Sequence, residues 1–104
     1  MSARAAAATA EATAELRRLV VAIAYRMTAS VSDAEDIAQD AFVRLERARR
    51  AGVRVERPRS WLAAVATRLA IDHLRAARRR REHYVGPWLP EPVVADAAPG
   101  PEGQ

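Results

Sequence analysis

The apolar residues of this chain recur with the 3.6-residue period of an α-helix, and that period excludes most other folds. Leu16, Leu19, Val20, Ile23 and Met27 follow the i, i+3, i+4, i+7, i+11 spacing of one helical face. Arg17, Arg18 and Arg26 fall away from that stripe. A first amphipathic helix is expected from about Thr9 to Thr28. In a second helix, ending near Arg50, Ala34, Ile37, Ala38, Ala41, Phe42 and Leu45 line one face. A third is expected from about Ser60 to Glu82. There Leu62, Val65, Ala66, Leu69, His73 and Ala76 share one face, and Trp61, Arg68, Asp72, Arg75 and Arg79 share another. Ile71 and Leu74 fit neither stripe, so this helix is expected to pack on more than one side and leave a polar ridge open.

The breaks between these segments carry their own signals. Ala29-Ser30-Val31-Ser32 is a short interruption. Ser32-Asp33-Ala34-Glu35 fits a capping box, in which Ser32 accepts from the Glu35 N–H and Glu35 from the Ser32 N–H. Acidic residues gather in that first turn, where the helix dipole favours them. Arg47-Ala48-Arg49-Arg50 makes a basic helix end, and Gly52 follows as the stop. After a loop from Val53 to Arg57, either Pro58 in the first turn or Ser60 as cap opens the third helix. From Tyr84 the pattern changes: Gly86-Pro87-Trp88-Leu89-Pro90-Glu91-Pro92 is expected to be extended, because its prolines remove donors and fix the backbone. Residues 93–104, rich in Ala, Pro and Gly, are expected to be disordered. The expected architecture is all-α: a compact three-helix domain over residues 10–83, a disordered N-terminus over 1–9, and an extended Pro-rich tail over 84–104.

Composition limits the chemistry. The 104 residues allow one small domain. Of 52 apolar residues 25 are Ala, so the core must be thin and shared between closely packed helices. With no Cys, neither a disulfide framework nor a Cys-ligated metal site is available. His73 and His83 lie ten residues apart without a zinc-ligand pattern. The run Leu19–Ala24 is far short of the ~20 residues that span a bilayer. The N-terminus also lacks the apolar stretch of a secretory signal, so a cytoplasmic protein is expected. No Gly-rich phosphate loop or nucleophile elbow is present. Ser60, Asp72 and His73 supply the letters of a triad, but adjacent helical residues point about 100° apart and cannot pair as one. Asp33, Glu35, Asp36 and Asp40 lack calcium-loop spacing and serve better as dipole partners. Neither enzymatic activity nor a cofactor or metal is expected.

Charge is where the chain is unequal. All 17 cations are Arg. Residues 1–46 hold 5 Arg and 7 acids, a net of −2; residues 47–82 hold 12 Arg and 3 acids, a net of +9; residues 83–104 hold 3 acids and no Arg. A basic block of this density suits a polyanion, because Arg meeting phosphate releases counterions. On the third helix, Arg68, Arg75 and Arg79 can bind phosphate or stack on bases, Trp61 can stack, and Asp72 can orient the guanidinium forks or accept from a base amino group. The alternative is a solvated face of i,i+4 ion pairs with Trp61 in the core. The second helix presents the opposite character. Asp33, Glu35, Asp36, Gln39, Asp40, Arg44 and Glu46 make a polar, mainly acidic face suited to a basic protein partner or to water.

Two of these stretches carry a resemblance. Asp33-Ala34-Glu35-Asp36-Ile37-Ala38-Gln39-Asp40-Ala41-Phe42-Val43-Arg44-Leu45 resembles the polymerase-binding helix of region two in bacterial sigma factors. Pro58-Arg59-Ser60-Trp61-Leu62-Ala63-Ala64-Val65-Ala66-Thr67-Arg68-Leu69-Ala70-Ile71-Asp72-His73-Leu74-Arg75 resembles the promoter-melting and −10-reading helix of the same region. Both are similar to the extracytoplasmic-function (ECF) class, and the resemblance covers residues 14–92. Tyr84-Val85-Gly86-Pro87-Trp88-Leu89-Pro90-Glu91-Pro92 resembles the linker signature of the sigma-J-like subgroup, with Trp88, Leu89, Pro90, Glu91 and Pro92 as its motif. Members of that subgroup continue into a second promoter-binding domain and a SnoaL-like domain, and this chain stops before either.

The resemblance implies a factor that binds core RNA polymerase and opens the −10 promoter element. It implies docking on the β′ clamp helices through Asp36, Gln39, Asp40, Phe42 and Arg44, with Phe42 equally suited to the core. It implies capture of a base flipped from the non-template strand by the loop Gly52–Arg59, with Arg54, Arg57, Arg59 and Trp61 as its rim. Arg68, Asp72, Arg75 and Arg79 would continue the DNA contact along the helix. Many members carry Arg-Asn where this chain has Thr67-Arg68, so a base contact through that Asn does not carry over. The subgroup's extra C-terminal domain is expected to take the place of an anti-sigma protein. The alternative to this reading is a helical protein-interaction module without sequence-specific DNA binding.

Overall fold

The computed structural model describes residues 2–85. Among them are three helices: α1 (Ala3–Thr28), α2 (Val31–Arg50) and α3 (Pro58–Val85). Each packs on the other two. The all-α architecture follows from the three apolar stripes, and the element boundaries follow from local hydrogen bonding.

Helix α1 starts well before the periodic stripe, through residues expected to be disordered. Its first half is exposed throughout. It is held by the high helix propensity of the run Ala5–Ala8 and by Ser2, whose Oγ accepts from the Ala5 N–H at 3.1 Å. Thr9 and Thr13 return their hydroxyls to the carbonyls of Ala5 and Thr9. The helix ends at Ala29, which sits in the left-handed region at φ 57° and donates to the Tyr25 carbonyl at 2.8 Å. That conformation is usually taken by Gly or Asn, so no residue in the sequence marked it.

Thr28 is the last residue of α1, as expected, and α2 starts sooner than expected. Ser30, not Ser32, is the N-cap: its Oγ accepts from the Asp33 N–H at 3.2 Å. The cap thus lies two residues before the expected Ser32, because α2 begins at Val31, with only Ala29 and Ser30 between the helices. At the other end the Gly52 stop is present as a Schellman motif. The Val53 N–H reaches the Ala48 carbonyl at 2.9 Å, the Gly52 N–H reaches Arg49 at 3.0 Å, and Gly52 has φ 89°. Helix α3 opens with Pro58 in its first turn. The Trp61 N–H donates to the Arg57 carbonyl at 3.0 Å, which makes Arg57 the cap position and places Ser60 inside the helix. It continues to Val85, past the point at Tyr84 where an extended chain was expected.

The core is as thin as the composition demanded. Among the described residues ten are buried, and six of them are Ala: Ala24, Ala34, Ala38, Ala41, Ala66 and Ala70. Small side chains let helix axes approach closely. Leu62 and Val20 are the largest fully buried side chains, and Ile37 and Leu45 complete the set. No polar or charged residue is buried among those described. Helix α3 packs on one side only. Ile71, nine residues and so half a turn around from Leu62, is 37% exposed, and Leu74 is 42% exposed, which corrects the expectation of a second packed face.

Candidate functional site

Burial against the core leaves one face of α2 open. Asp36, Gln39, Asp40 and Arg44 all lie on it and are exposed. Arg44 Nε donates to Asp40 Oδ1 at 3.1 Å, one turn away, which holds that guanidinium along the face. Phe42 is not part of this group. It is half-buried against the core, and with Thr9, Thr13 and Leu16 of α1 and Leu45 of α2 it lines a cleft between the two helices. Val43 also lies on this open face. Seven residues on from Asp36, it stands almost directly above it on the helix and is 38% exposed.

The loop and α3 form the second open surface. Arg54, Arg57 and Arg59 are exposed. Val55 packs inward and anchors the loop to the core. Trp61 also packs against the core and is only partly exposed, so it leaves the ridge on which the periodicity placed it. Along α3, Arg68, Asp72 and Arg75 share one shallow concavity with Ala63, Ala64, Thr67 and Ile71. Arg79 lies farther along, in a separate depression with Arg80, Arg81 and His83.

Asp72 does not orient the guanidinium forks of Arg68 and Arg75. The ion pairs among the described residues are Arg44–Asp40, Arg50–Glu46, Arg78–Glu82 and His73–Asp33. The spacing puts Asp72 within reach of both arginines, but in water an exposed pair gains little over separate hydration. Two guanidinium groups and one carboxylate therefore have no ion-pair partner among the described residues, around a largely apolar floor. His73 keeps the side of α3 on which Leu62 is buried and faces α2. Its Nε2 lies 3.3 Å from Asp33 Oδ1, joining α3 to the first turn of α2, with both side chains more than a third exposed. Asp72 and His73 thus point to different neighbours, as adjacent helical residues must.

Among the described residues no group of three or more His, Asp or Glu is placed to hold a metal ion. No helix there is long and apolar enough to cross a membrane. The motif Trp88-Leu89-Pro90-Glu91-Pro92 lies outside the described residues.

Comparison with known proteins assigns this arrangement to a family. The sigma-70 region 2 family matches residues 13–80. The ECF RNA polymerase sigma factor SigJ of Mycobacterium tuberculosis H37Rv is 48% identical over 79 residues, which are 76% of this chain and 24% of that protein. The probable ECF RNA polymerase sigma factor SigI of M. tuberculosis CDC 1551 is 42% identical over 66 residues, 64% of this chain and 22% of that protein. The ECF RNA polymerase sigma factor SigG of the same strain is 38% identical over 64 residues, 62% of this chain and 17% of that protein. The chain thus spans about a quarter or less of the length of these relatives. No solved structure matches it.

Proposed function

Because the chain belongs to the sigma-70 region 2 family, we propose that it is the part of an ECF sigma factor that binds core RNA polymerase and opens the −10 promoter element. The relatives' names supply the class of machine. The observation that carries the reading is the separation of two unlike surfaces on one small bundle. The open face of α2 holds Asp36, Gln39, Asp40 and Arg44, and the open face of α3 with its preceding loop holds Arg54, Arg57, Arg59, Arg68, Arg75 and Arg79. Each face lies opposite the shared core, so one can be covered by protein while the other meets DNA.

In this reading α2 docks on the clamp helices of the polymerase β′ subunit. Asp36, Gln39 and Asp40 supply acceptors, and Val43 supplies a small apolar contact between them. The loop between Gly52 and Arg59 receives a base flipped from the non-template strand. Unstacking a base costs a few kcal/mol, which contact with a pocket and nearby cations offsets. Arg54, Arg57 and Arg59 supply the cationic rim. Trp61, held against the core, gives the loop a fixed edge. The work is done by binding, without covalent chemistry, and takes place in the cytoplasm, where the polymerase acts.

The test is a pair of titrations on the 104-residue chain. A β′ clamp-helix fragment binds it, and Asp36→Arg weakens that binding at least tenfold while leaving helix content unchanged. A non-template −10 single strand binds better than a scrambled strand. Clamp binding undiminished by Asp36→Arg overturns the docking face. Clamp binding with no preference between strands leaves a protein-interaction module instead.

A further inference from the structure

The concavity on α3 has an unusual composition for a surface facing nucleic acid. Its rim is charged, and its floor is apolar. Arg68 and Arg75 provide donors and Asp72 an acceptor, none of them engaged in an ion pair among the described residues. The floor consists of Ala63, Ala64, Thr67 and Ile71. Thr67 is counted with the floor because its hydroxyl proton is committed: Oγ1 donates to the Ala63 carbonyl at 2.8 Å. Beyond that bond the side chain offers a methyl group and the acceptor lone pairs of Oγ1. Ile71 is 37% exposed, on the side of α3 opposite the fully buried Leu62.

We propose that this floor, centred on Ile71 and Thr67, takes the 5-methyl group of a thymine in single-stranded promoter DNA, and so makes Ile71 a specificity-determining residue. The inference rests on the DNA-facing role proposed above for α3. Charge selects the class of occupant. The floor lies within the +9 block of residues 47–82, and the two free guanidinium groups beside it suit phosphates or base carbonyls. Size selects the group that fits. One isoleucine, one threonine methyl and two alanines match a single methyl on a flat ring, not the row of large side chains that an amphipathic partner helix would bring. Apolar contact with the thymine methyl is the one feature by which a surface without hydrogen-bonding groups can tell thymine from the other bases.

The experiment begins with a random single-stranded DNA library and the 104-residue chain. The strand enriched by the wild-type chain is resynthesised with each thymine replaced in turn by deoxyuridine, which removes only the methyl. One of these replacements is expected to weaken binding about fourfold, the effect of losing one buried methyl-sized contact. In Ile71→Ala the same replacement has no effect. In Thr67→Ser, which keeps the hydroxyl bond and deletes the methyl, the effect is reduced. Ile71 is exposed, so its truncation leaves the fold intact, and circular dichroism checks this. An enriched strand without thymine, or a deoxyuridine penalty that persists in Ile71→Ala, overturns the inference while leaving sequence-selective DNA binding in place. Failure of the library to enrich any sequence overturns the DNA-facing role of α3, and the inference with it.

Discussion

At the scale of single residues, the structure turns on where two helices meet. Ala29 takes a left-handed conformation that costs an alanine about 1 kcal/mol. Thr28 supports the corner: its hydroxyl donates to the Ala24 carbonyl at 2.9 Å and accepts from the Ser30 N–H at 3.3 Å. Ser30 then caps α2. Ser32, the expected cap, makes only a 3.4 Å hydroxyl contact with Ser30. Ser30→Ala is therefore expected to lower stability by about 1 kcal/mol, and Ser32→Ala to change it little. Urea denaturation of both variants checks this, and the reverse order would place the cap at Ser32. Ser32 was expected as the cap because the capping-box pattern begins there; Ser30 was not, because its role depends on where α2 starts after α1, and Ala29 gives no sign of its φ. The pair His73–Asp33 was hidden for a related reason: its members lie forty residues apart, and only helix packing brings them to 3.3 Å. Exposed as it is, that pair contributes under about 1 kcal/mol and acts mainly on the register of α2 against α3.

At the scale of the elements, the helices are unequal in what holds them. Helix α2 presents an unbroken buried stripe of Ala34, Ile37, Ala38, Ala41 and Leu45, with acids at its start and Arg at its end. Helix α3 buries Leu62, Ala66 and Ala70 and leaves its opposite face to Ile71 and Leu74. Leu62 is thus the main large side chain fixing α3 to the bundle. Leu62→Ala is expected to cost about 3 kcal/mol, from lost burial plus the cavity left in a core with little else to collapse into it. Chemical denaturation measures this, with the slope against denaturant unchanged. A loss below about 1 kcal/mol would mean that Val65 and Leu69 carry the contact instead. The stripes of α1 and α2 were read correctly from periodicity. That of α3 was only half read, because the helix carries apolar residues around most of its circumference and periodicity alone cannot say which of them meets a partner.

At the scale of the whole molecule, the bundle holds two surfaces apart and lets each be tested without the other. Replacing both Arg68 and Arg75 by Ala is expected to lower the salt dependence of single-strand binding. The slope of log affinity against log salt should fall by about 1.4, at ~0.7 for each phosphate contact removed. Clamp-fragment binding should stay unchanged. Titrations at several salt concentrations check the first point and a single clamp titration the second; an equal loss in both would mean that the two faces are not independent. The sequence by itself determined the number of helices, the thinness of the core, the Gly52 stop and the division of charge between α2 and the segment after it. These depend on neighbours a few residues away, on helical period, or on simple counts. Only the tertiary structure decided that Phe42 and Trp61 turn toward the core, that His73 meets Asp33, and that Ile71 and Thr67 remain on the open side of α3. Each of those outcomes depends on which surface a distant segment offers, and that is set by the packing of three helices against one another rather than by the order of residues along any one of them.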